Sequence, residues 1–450
     1  MRMRLLYVTN GFPPTALGGV EVYTWEIARA MARRGHTVWV FCRESDFQRP
    51  DYELIHDEVD GLPIIRIVND FKKAYHFLHT YIDNQIEEIF LRVLKETQPD
   101  LIHFQHLIGL SARLPCRASS LKIPMLMTLH DFWPLCHRVH LLNRWEQPCP
   151  GPFQGGDCVI CVRGPRSTSR LHSLLRAIKP WLPDSLFSWI MRRIGGAALP
   201  SWAEVDQKDF QARYEIFREA LMCCALLVAP SNFVREVFRR NGITQREIRI
   251  LPLGISSPSN EDIPGPEERE GLRIGYIGWL QSPKGVHLLI EAFRRIPDES
   301  VSLHLFGPIY KSHPYFRWLQ ELSRGDSRIV FQGPFAPEER SQVYRSIDLL
   351  VIPSLSPETF SRVAHEALIH HVPVVASCTG ALSEVIRDGV NGFLFEPGNV
   401  ESLFQVLQRI ARRPSILREL DAPGPVQILS VEAHVQALEQ VYREVISAGV

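Results

Sequence analysis

The sequence predicts an α/β protein made of two doubly wound domains, each built on a parallel sheet. Short apolar runs that suit buried strands alternate with stretches in which apolar residues recur at helical spacing. This alternation stops in a polar, proline-rich segment, residues 256–271, and then starts again. A chain of 450 residues is long enough for roughly two to three domains.

The composition is that of an ordinary soluble globular protein, with 45% hydrophobic and 22% charged residues. Lys plus Arg and Asp plus Glu both number 50, so the net charge gives no reason to expect a nucleic-acid partner. No apolar run reaches the roughly 18 residues of a transmembrane helix. Residues 1–14 suit a first strand better than a signal peptide, because their apolar run is short. We therefore expect a cytoplasmic protein.

The first half opens with a strand, a glycine turn and a helix. An apolar run at residues 5–9 leads to Gly18 and Gly19, and a helical stripe over residues 20–34 ends at Gly35. Because glycine has no Cβ, the amides of Gly18 and Gly19 can approach a phosphate or a sugar closely. This βαβ start predicts ligands beyond the carboxyl ends of the strands.

Four polar residues lie at or near the ends of the later strands of this half, namely His103, His106, His130 and Asp131. A histidine at a strand end is usually a satisfied polar residue, and we interpret His103 and His106 in that way. The pair His130 and Asp131 follows the apolar run MLMTL and is the candidate for a ligand contact.

A cysteine-rich stretch follows, with the spacing C-x12-C-x8-C-x2-C at Cys136, Cys149, Cys158 and Cys161. In a cytosolic chain such clustering favours a metal over disulfides, and C-x2-C can supply two thiolates to one tetrahedral ion. The first gap is not a standard ribbon spacing. Structural zinc and free or redox-active thiols therefore both stay open.

The next stretch, residues 163–194, is basic and amphipathic. It carries seven Lys and Arg residues against a single acidic residue, Asp184, together with two apolar stripes at helical spacing. This combination suits peripheral contact with an anionic membrane and a lipid-linked acceptor. Ordinary core packing of the apolar stripes is the alternative.

The second half begins with an apolar run at residues 272–277, a glycine turn and a helix. Lys284 lies at the helix entrance, where its charge can neutralise a diphosphate. A later unit is predicted as a strand at residues 349–352, a loop, a helix over residues 360–370 and a strand at residues 372–376. That unit organises the candidate site.

Glu358 lies in the loop of this unit, and Glu366 follows eight positions later in the helix. At about 1.5 Å rise per residue they lie on the order of 12 Å apart, too far for the carboxylate pair of a glycoside hydrolase. A helix start with free amides between them is an anion site, and a carboxylate at either end suits a nucleotide sugar. Two ordinary glutamates on a solvated helix face are the alternative. The predicted free amides belong to Phe360, Ser361, Arg362 and Val363.

These residues resemble the E-x7-E motif of the retaining glycosyltransferases of family 4, with P-S before the first glutamate and E-A-L at the second. The run GGVEVYTWEIARAMARRGHTVWVF is similar to the family's N-terminal signature, and MLMTLHDFW to its strand ending in H-D. The resemblance covers residues 1–132 and 226–407. Two positions depart from it: the usual Gly-Phe-Gly after the first glutamate is Thr-Phe-Ser, and Trp279 replaces an arginine.

The resemblance implies a GT-B fold, in which two Rossmann-like domains face a cleft. It also implies retaining, metal-independent transfer of a sugar from a UDP- or GDP-sugar to a glycan or lipid-linked acceptor, in surface polysaccharide or glycoconjugate synthesis. No cofactor is then required for catalysis. The expected first domain is residues 1–255, with an insertion at 133–205. The expected second domain is residues 272–429, which bind the donor. A helix at residues 430–450 is expected to cross back to the first domain.

The resemblance also implies roles for single residues. His130 would contact the transferred sugar near the reacting carbon, with Asp131 helping to orient it. Glu358 would hold the sugar hydroxyls, Glu366 the ribose, and Lys284 the diphosphate. Arg362, near the predicted helix start, is a candidate to replace the missing arginine, and an exposed arginine with no special role is the alternative. Two other functions on the same fold stay open: a sugar-nucleotide epimerase or phosphorylase, and a non-catalytic scaffold that binds nucleotide sugars.

Overall fold

A computed structural model describes residues 2–72, 76–152, 158–163, 205–256, 271–422, 424 and 426–449. The labels below number the elements of these ranges in chain order. Most of the basic amphipathic stretch and of the proline-rich segment lie outside the described residues, so the predictions of membrane contact and of a linker are not addressed by the structure.

The first domain is built on an eight-stranded sheet with the strand order β3-β4-β2-β1-β5-β6-β7-β8. All neighbouring strands are parallel except β3 and β4, which form an antiparallel pair at one edge. The strands are β1 (Arg4–Thr9), β2 (Thr37–Glu44), β3 (Leu54–Val59), β4 (Leu62–Val68), β5 (Leu101–Phe104), β6 (Met125–Thr128), β7 (Leu226–Ala229) and β8 (Ile248–Ile250).

The second domain has a six-stranded sheet in the order β11-β10-β9-β12-β13-β14, and all of its pairs are parallel. The order reverses between β9 and β12, which is where doubly wound sheets open a crevice for ligands. The strands are β9 (Leu272–Ile277), β10 (Val301–Phe306), β11 (Ile329–Gly333), β12 (Leu349–Ile352), β13 (Val374–Ser377) and β14 (Gly392–Phe395).

The helices of the first domain pack their apolar stripes on its sheet. In the first of them, Tyr23, Ile27 and Met31 are buried, as the predicted spacing requires. The described helices are α1 (Gly19–Arg33), α2 (Asn84–Thr97), α3 (Leu114–Ser119), α4 (Cys158–Arg163), α5 (Gln207–Cys223) and α6 (Asn232–Arg240), with a 3-10 turn at Phe77–Thr80.

The helices that follow are α7 (Val286–Phe293), α8 (Pro314–Leu322), α9 (Arg340–Arg345), α10 (Arg362–Ile369), α11 (Leu382–Val385), α12 (Val400–Arg412) and α13 (Val431–Ala448). Three 3-10 turns lie among them, Ser282–Lys284, Pro337–Glu339 and Pro414–Glu419. The helix predicted at residues 360–370 begins two residues later, at Arg362. The prediction was wrong there because Ser361, with φ of 62°, takes a left-handed conformation that ends the preceding loop.

The last helix packs against the first domain. Tyr442 on α13 and Tyr7 on β1 bring their hydroxyls within 3.0 Å of each other, and His434 lies 2.7 Å from the hydroxyl of Tyr23 on α1. Val435 of α13 is fully buried in the same apolar cluster. The chain therefore leaves the second sheet and returns to the first.

The predicted fold class is confirmed, since two parallel-sheet α/β domains face each other. Among the described helices, none has the length and apolar character that a bilayer crossing requires.

Candidate active site

A cavity of about 390 Å³ lies between the two domains. Its size is within the range of small-molecule sites. Most of the residues predicted for the site line it, namely Gly19, His130, Asp131, Lys284, Glu358, Phe360, Ser361, Arg362 and Val363. Gly18 and Glu366 are not on its wall. Gly18 is the N-cap residue of α1, next to Gly19.

Lys284 and Glu358 form an ion pair on the cavity wall. Lys284 Nζ lies 2.7 Å from Glu358 Oε1, and the Ser354 hydroxyl donates to the same oxygen at 2.5 Å. Burial alone would raise the pKa of Glu358, but Lys284 and then Ser354 outweigh it and hold that pKa below its usual range. Glu358 is therefore a carboxylate at neutral pH.

The turn that carries Lys284 is packed tightly on the end of β12. Gly285 has φ of 68°, and a Cβ at this position would lie 1.9 Å from the carbonyl oxygen of Pro353. The Leu355 amide donates to the Pro283 carbonyl at 2.9 Å. Only glycine fits this approach, which places the lysine beside the loop of Glu358.

The start of α10 lies on the cavity wall and carries donors that have no hydrogen-bond partner. The amides of Arg362 and Val363 have no partner within the helix, because its first bonds run from Ala364 and His365 to the Ser361 carbonyl. Ser361 Oγ and Arg362 Nη1 are buried and have no hydrogen-bond partner in the structure. Buried donors of this kind are usually satisfied, and a helix start with free amides is a place where an anion can bind.

Arg362 also joins the two domains. Its Nη2 lies 2.9 Å from Glu26 on α1 and 3.7 Å from Glu366. Burial disfavours the guanidinium charge, yet Glu26 and Glu366 outweigh it and raise the pKa of Arg362. The Arg362 guanidinium is therefore not simply available to bind a phosphate. Its Nη2 is paired with the carboxylates of Glu26 and Glu366, while its Nη1 has no hydrogen-bond partner. No motif in the sequence singles out Glu26.

Glu366 is buried, with 7% of the residue exposed. The Tyr344 hydroxyl donates to its Oε2 at 3.0 Å, and Arg340 Nη1 lies 3.5 Å from its Oε1. Its carboxylate therefore has protein partners behind the cavity wall, and its role at the ribose stays a prediction.

His130 follows β6 and is held by Gln105. Its Nε2 lies 2.7 Å from Gln105 Oε1, so Nε2 carries the proton and Nδ1 is the acceptor. Burial lowers the pKa of His130 to about 3, which makes the ring neutral at physiological pH. The Thr359 hydroxyl donates to the His130 carbonyl at 2.7 Å and so ties the loop of the second domain to this strand end.

Asp131 pairs with His106. His106 Nε2 lies 2.6 Å from Asp131 Oδ2, and the Trp133 amide donates to the other carboxylate oxygen. Burial disfavours both charges, but the pairing outweighs it, raising the pKa of His106 and lowering that of Asp131. His106 is therefore not the ordinary polar residue expected from the sequence; it is the partner of Asp131, and both residues follow strand ends.

The cysteine-rich loop reaches the cavity through Val139 and His140, which no motif in the sequence indicates. Burial lowers the pKa of His140, and the nearby charge of Lys284 lowers it further, while Asp131 and Glu358 act in the opposite direction. A neutral imidazole therefore faces the ion pair from the first domain.

Trp279 lines the same cavity and stacks on Tyr310, with ring centroids 5.9 Å apart and planes at 11°. Where the resemblance leads us to expect an arginine, the wall is aromatic.

The four cysteines of the loop lie close enough together for three of them to affect the pKa of the fourth, Cys158. Burial raises the pKa of Cys158, and the thiols of Cys136, Cys161 and Cys149 raise it further. All four are free thiols in the structure. Within the ranges that the structure describes, no group of three or more His, Cys, Asp or Glu side chains is arranged to hold a metal ion. Structural zinc stays a prediction.

Two family profiles match the chain, "Glycosyltransferase Family 4" over residues 17–165 and "Glycosyl transferases group 1" over residues 271–413. They fall on the two domains, on either side of the cavity. The chain belongs to glycosyltransferase family 4. The resemblance inferred from the motifs is thereby confirmed.

Several proteins are similar to this family-4 chain. Sulfoquinovosyl transferase SQD2 of Arabidopsis thaliana is 23% identical over 76% of the chain, and the match spans 64% of the plant protein, just under two thirds. The structure of sucrose-phosphate synthase from Thermosynechococcus elongatus superimposes with a TM-score of 0.66 at 19% identity, over 99% of this chain and 100% of that one. Anabaena HepE in complex with UDP-glucose gives a TM-score of 0.60 at 18% identity, over 99% and 100%. At such identities the structures show a shared fold.

Proposed function

We propose that this protein is a retaining glycosyltransferase that moves a sugar from a nucleotide sugar to a hydroxyl of a glycan or lipid-linked acceptor. The observation that carries the proposal is the joint position of the Lys284–Glu358 ion pair and the start of α10, at Ser361, Arg362 and Val363, on one cavity wall. A carboxylate recognises sugar hydroxyls, and cationic and amide donors recognise a diphosphate. One ligand that carries both groups is a nucleotide sugar.

In the proposed complex the diphosphate lies against the start of α10. The amides of Arg362 and Val363, the Ser361 hydroxyl and Lys284 Nζ would donate to its oxygens. Glu358, held by Ser354, would accept hydrogen bonds from the transferred sugar. Glu366 would accept hydrogen bonds from the ribose. We favour UDP over GDP because the similar fold of HepE has been captured with UDP-glucose.

The proposed reaction exchanges one bond at the anomeric carbon for another on the same face of the sugar. The bond from that carbon to the diphosphate oxygen breaks, and a bond to the acceptor oxygen forms. The acceptor's proton passes to the departing diphosphate. Lys284 and the helix amides compensate the charge that grows there, so the proposal assigns no metal to this step. Neutral His130 would contact the sugar near the reacting carbon, with Asp131 fixed by His106.

The acceptor would enter from the side of the first domain, where Gly19, Val139 and His140 line the cavity. We place the protein in the cytoplasm and in surface polysaccharide or glycoconjugate synthesis, with the basic stretch at residues 163–194 against an anionic membrane. The seven Lys and Arg residues of that stretch support membrane contact, since anionic lipids attract basic side chains.

The test starts with a panel of UDP- and GDP-sugars, scored by the rise in melting temperature that each produces, because a bound ligand stabilises the folded state. The stabilising donor is then incubated with candidate acceptors, and the product's anomeric configuration is read by NMR. Transfer with retained configuration supports the proposal. Conversion of the donor without an acceptor would indicate an epimerase, and conversion only with free phosphate would indicate a phosphorylase. Binding of the donor without turnover would indicate a non-catalytic scaffold.

A further inference from the structure

Two cysteines far from the cavity form a close pair on the first domain. Cys116 lies on α3 and Cys223 is the last residue of α5, and their sulfur atoms are 3.0 Å apart. The residues are 107 positions apart in the chain, so the fold brings them together. Both are partly exposed, and both are free thiols.

The surroundings of the pair make one of the two sulfurs nucleophilic. Between the two neutral thiols, Cys223 Sγ donates to Cys116 Sγ. Once Cys223 has lost its proton the Cys116 thiol can donate to the thiolate instead, and this contact is the main reason why the pKa of Cys223 falls to about 7. Burial and the charge of Glu219 oppose this shift, while the Ser119 hydroxyl and the charge of Arg246 support it. The same contact raises the pKa of Cys116. A substantial share of Cys223 is therefore thiolate at neutral pH, with a thiol within reach.

The neighbouring Cys224 provides a contrast within the same chain. It is fully buried, its Sγ donates to the carbonyl of Ala220, and burial raises its pKa. A buried thiol of this kind is inert. Cys223, in contrast, is partly exposed, has a lowered pKa and lies beside a second sulfur atom.

We propose that Cys116 and Cys223 form a reactive dithiol that exchanges with small disulfides such as glutathione disulfide. The Cys223 thiolate attacks one sulfur of glutathione disulfide, which gives a mixed disulfide on Cys223 and releases one glutathione thiolate. Cys116, losing its proton to solvent, then attacks the Cys223 sulfur. A Cys116–Cys223 disulfide forms and the second glutathione leaves. The protein thus loses two electrons, and the small disulfide gains them.

The bond would tie α3 to α5, and α5 supports the loop that follows His130. Arg213 on α5 donates to the carbonyls of Trp133 and Pro134 just after that strand end. Oxidation would therefore fix the helix that holds the loop after His130. The inference does not depend on the proposed function, because it concerns thiol chemistry alone.

Reduced protein is incubated with glutathione disulfide at pH 7.5, digested without reductant and mapped by mass spectrometry. We expect a linked peptide that joins Cys116 to Cys223. In Cys116→Ser the link disappears and a glutathione adduct accumulates on Cys223, whereas Cys224→Ser yields the link as the wild type does. In Cys223→Ser the modification of Cys116 slows by roughly 10-fold or more, since the nucleophilic thiolate is absent.

Melting temperatures of the reduced variants confirm that each is folded before it is compared. In the wild type, alkylation of Cys223 by iodoacetamide should accelerate by roughly 10-fold between pH 6 and pH 8, following the thiolate fraction. The proposal is overturned if the wild type yields no link, if its glutathione adduct on Cys223 persists beside a free Cys116, or if Cys223→Ser leaves the modification of Cys116 as fast as before.

Discussion

Lys284 Nζ lies 2.7 Å from Glu358 Oε1, so the cation expected at the diphosphate and the carboxylate expected at the sugar form a single ion pair. The lysine side chain is 34% exposed, while the glutamate side chain is 12% exposed. In the proposed complex the pair holds the junction between the leaving diphosphate and the transferred sugar, where charge develops during transfer. Each residue sets the orientation of the other before a ligand arrives.

Substitutions of Ser361 can show whether the backbone is strained at the start of α10. With φ of 62° it occupies a conformation that glycine adopts without strain, and glycine is the family's usual residue there. We expect Ser361→Gly to be more stable than Ser361→Ala by about 1 kcal/mol, because both lose the hydroxyl and only glycine relieves the strain. Urea unfolding of the two variants measures the difference. Equal stabilities would show that the conformation is not strained.

The contact between Glu26 and Arg362 tests the closed arrangement of the domains. We expect Glu26→Gln to lower the free energy of unfolding by roughly 2–3 kcal/mol, because it leaves a buried guanidinium with only the more distant Glu366. Glu401→Gln is the matched control, since it breaks an exposed pair with Arg295 and should cost less than about 1 kcal/mol. Similar losses in the two variants would mean that the cleft is open in solution.

The pairing of His106 with Asp131 predicts a pH dependence. The pKa of His106 is raised in the folded protein. Its contribution to the free energy of unfolding is therefore fully present below the unfolded pKa of about 6.5, and it is lost as pH rises through the folded pKa. The lowered pKa of Asp131 gives a contribution that is present above about 3.9 and is lost as pH falls. We expect His106→Gln to destabilise the protein by roughly 1 kcal/mol more at pH 6 than at pH 8.5. Urea unfolding at the two pH values provides the comparison, and an equal loss at both would contradict a charged pair.

The zinc prediction is tested by metal analysis of protein purified without added metal. About one zinc per chain that is lost in Cys158→Ser and kept in Cys378→Ser, an exposed thiol outside the loop, would assign a structural zinc site to the loop. A wild-type protein without zinc, whose four loop thiols all react with alkylating reagents, would assign the loop to free or redox-active thiols.

The fold and the approximate place of the site follow from the sequence because they depend on local features. Strand and helix periods are visible within a dozen residues, and Glu358 and Glu366 lie in one short unit. The pairs Glu26–Arg362 and His106–Asp131 depend instead on how distant elements meet. Nothing in the spacing of Glu26 on α1 indicates that it faces the second domain. The left-handed conformation of Ser361, which moved the helix start, is also not readable from a serine in a single sequence.

The most direct test of the central claim compares wild type and Glu358→Gln with the donor selected by the thermal panel, measuring both transfer and the affinity for the free nucleotide diphosphate. We expect transfer to fall by at least roughly 100-fold, because the group that holds the sugar is lost. The affinity for the nucleotide diphosphate should be retained or increased, since Lys284 remains and loses its carboxylate partner. Transfer at the wild-type rate by Glu358→Gln would contradict the account.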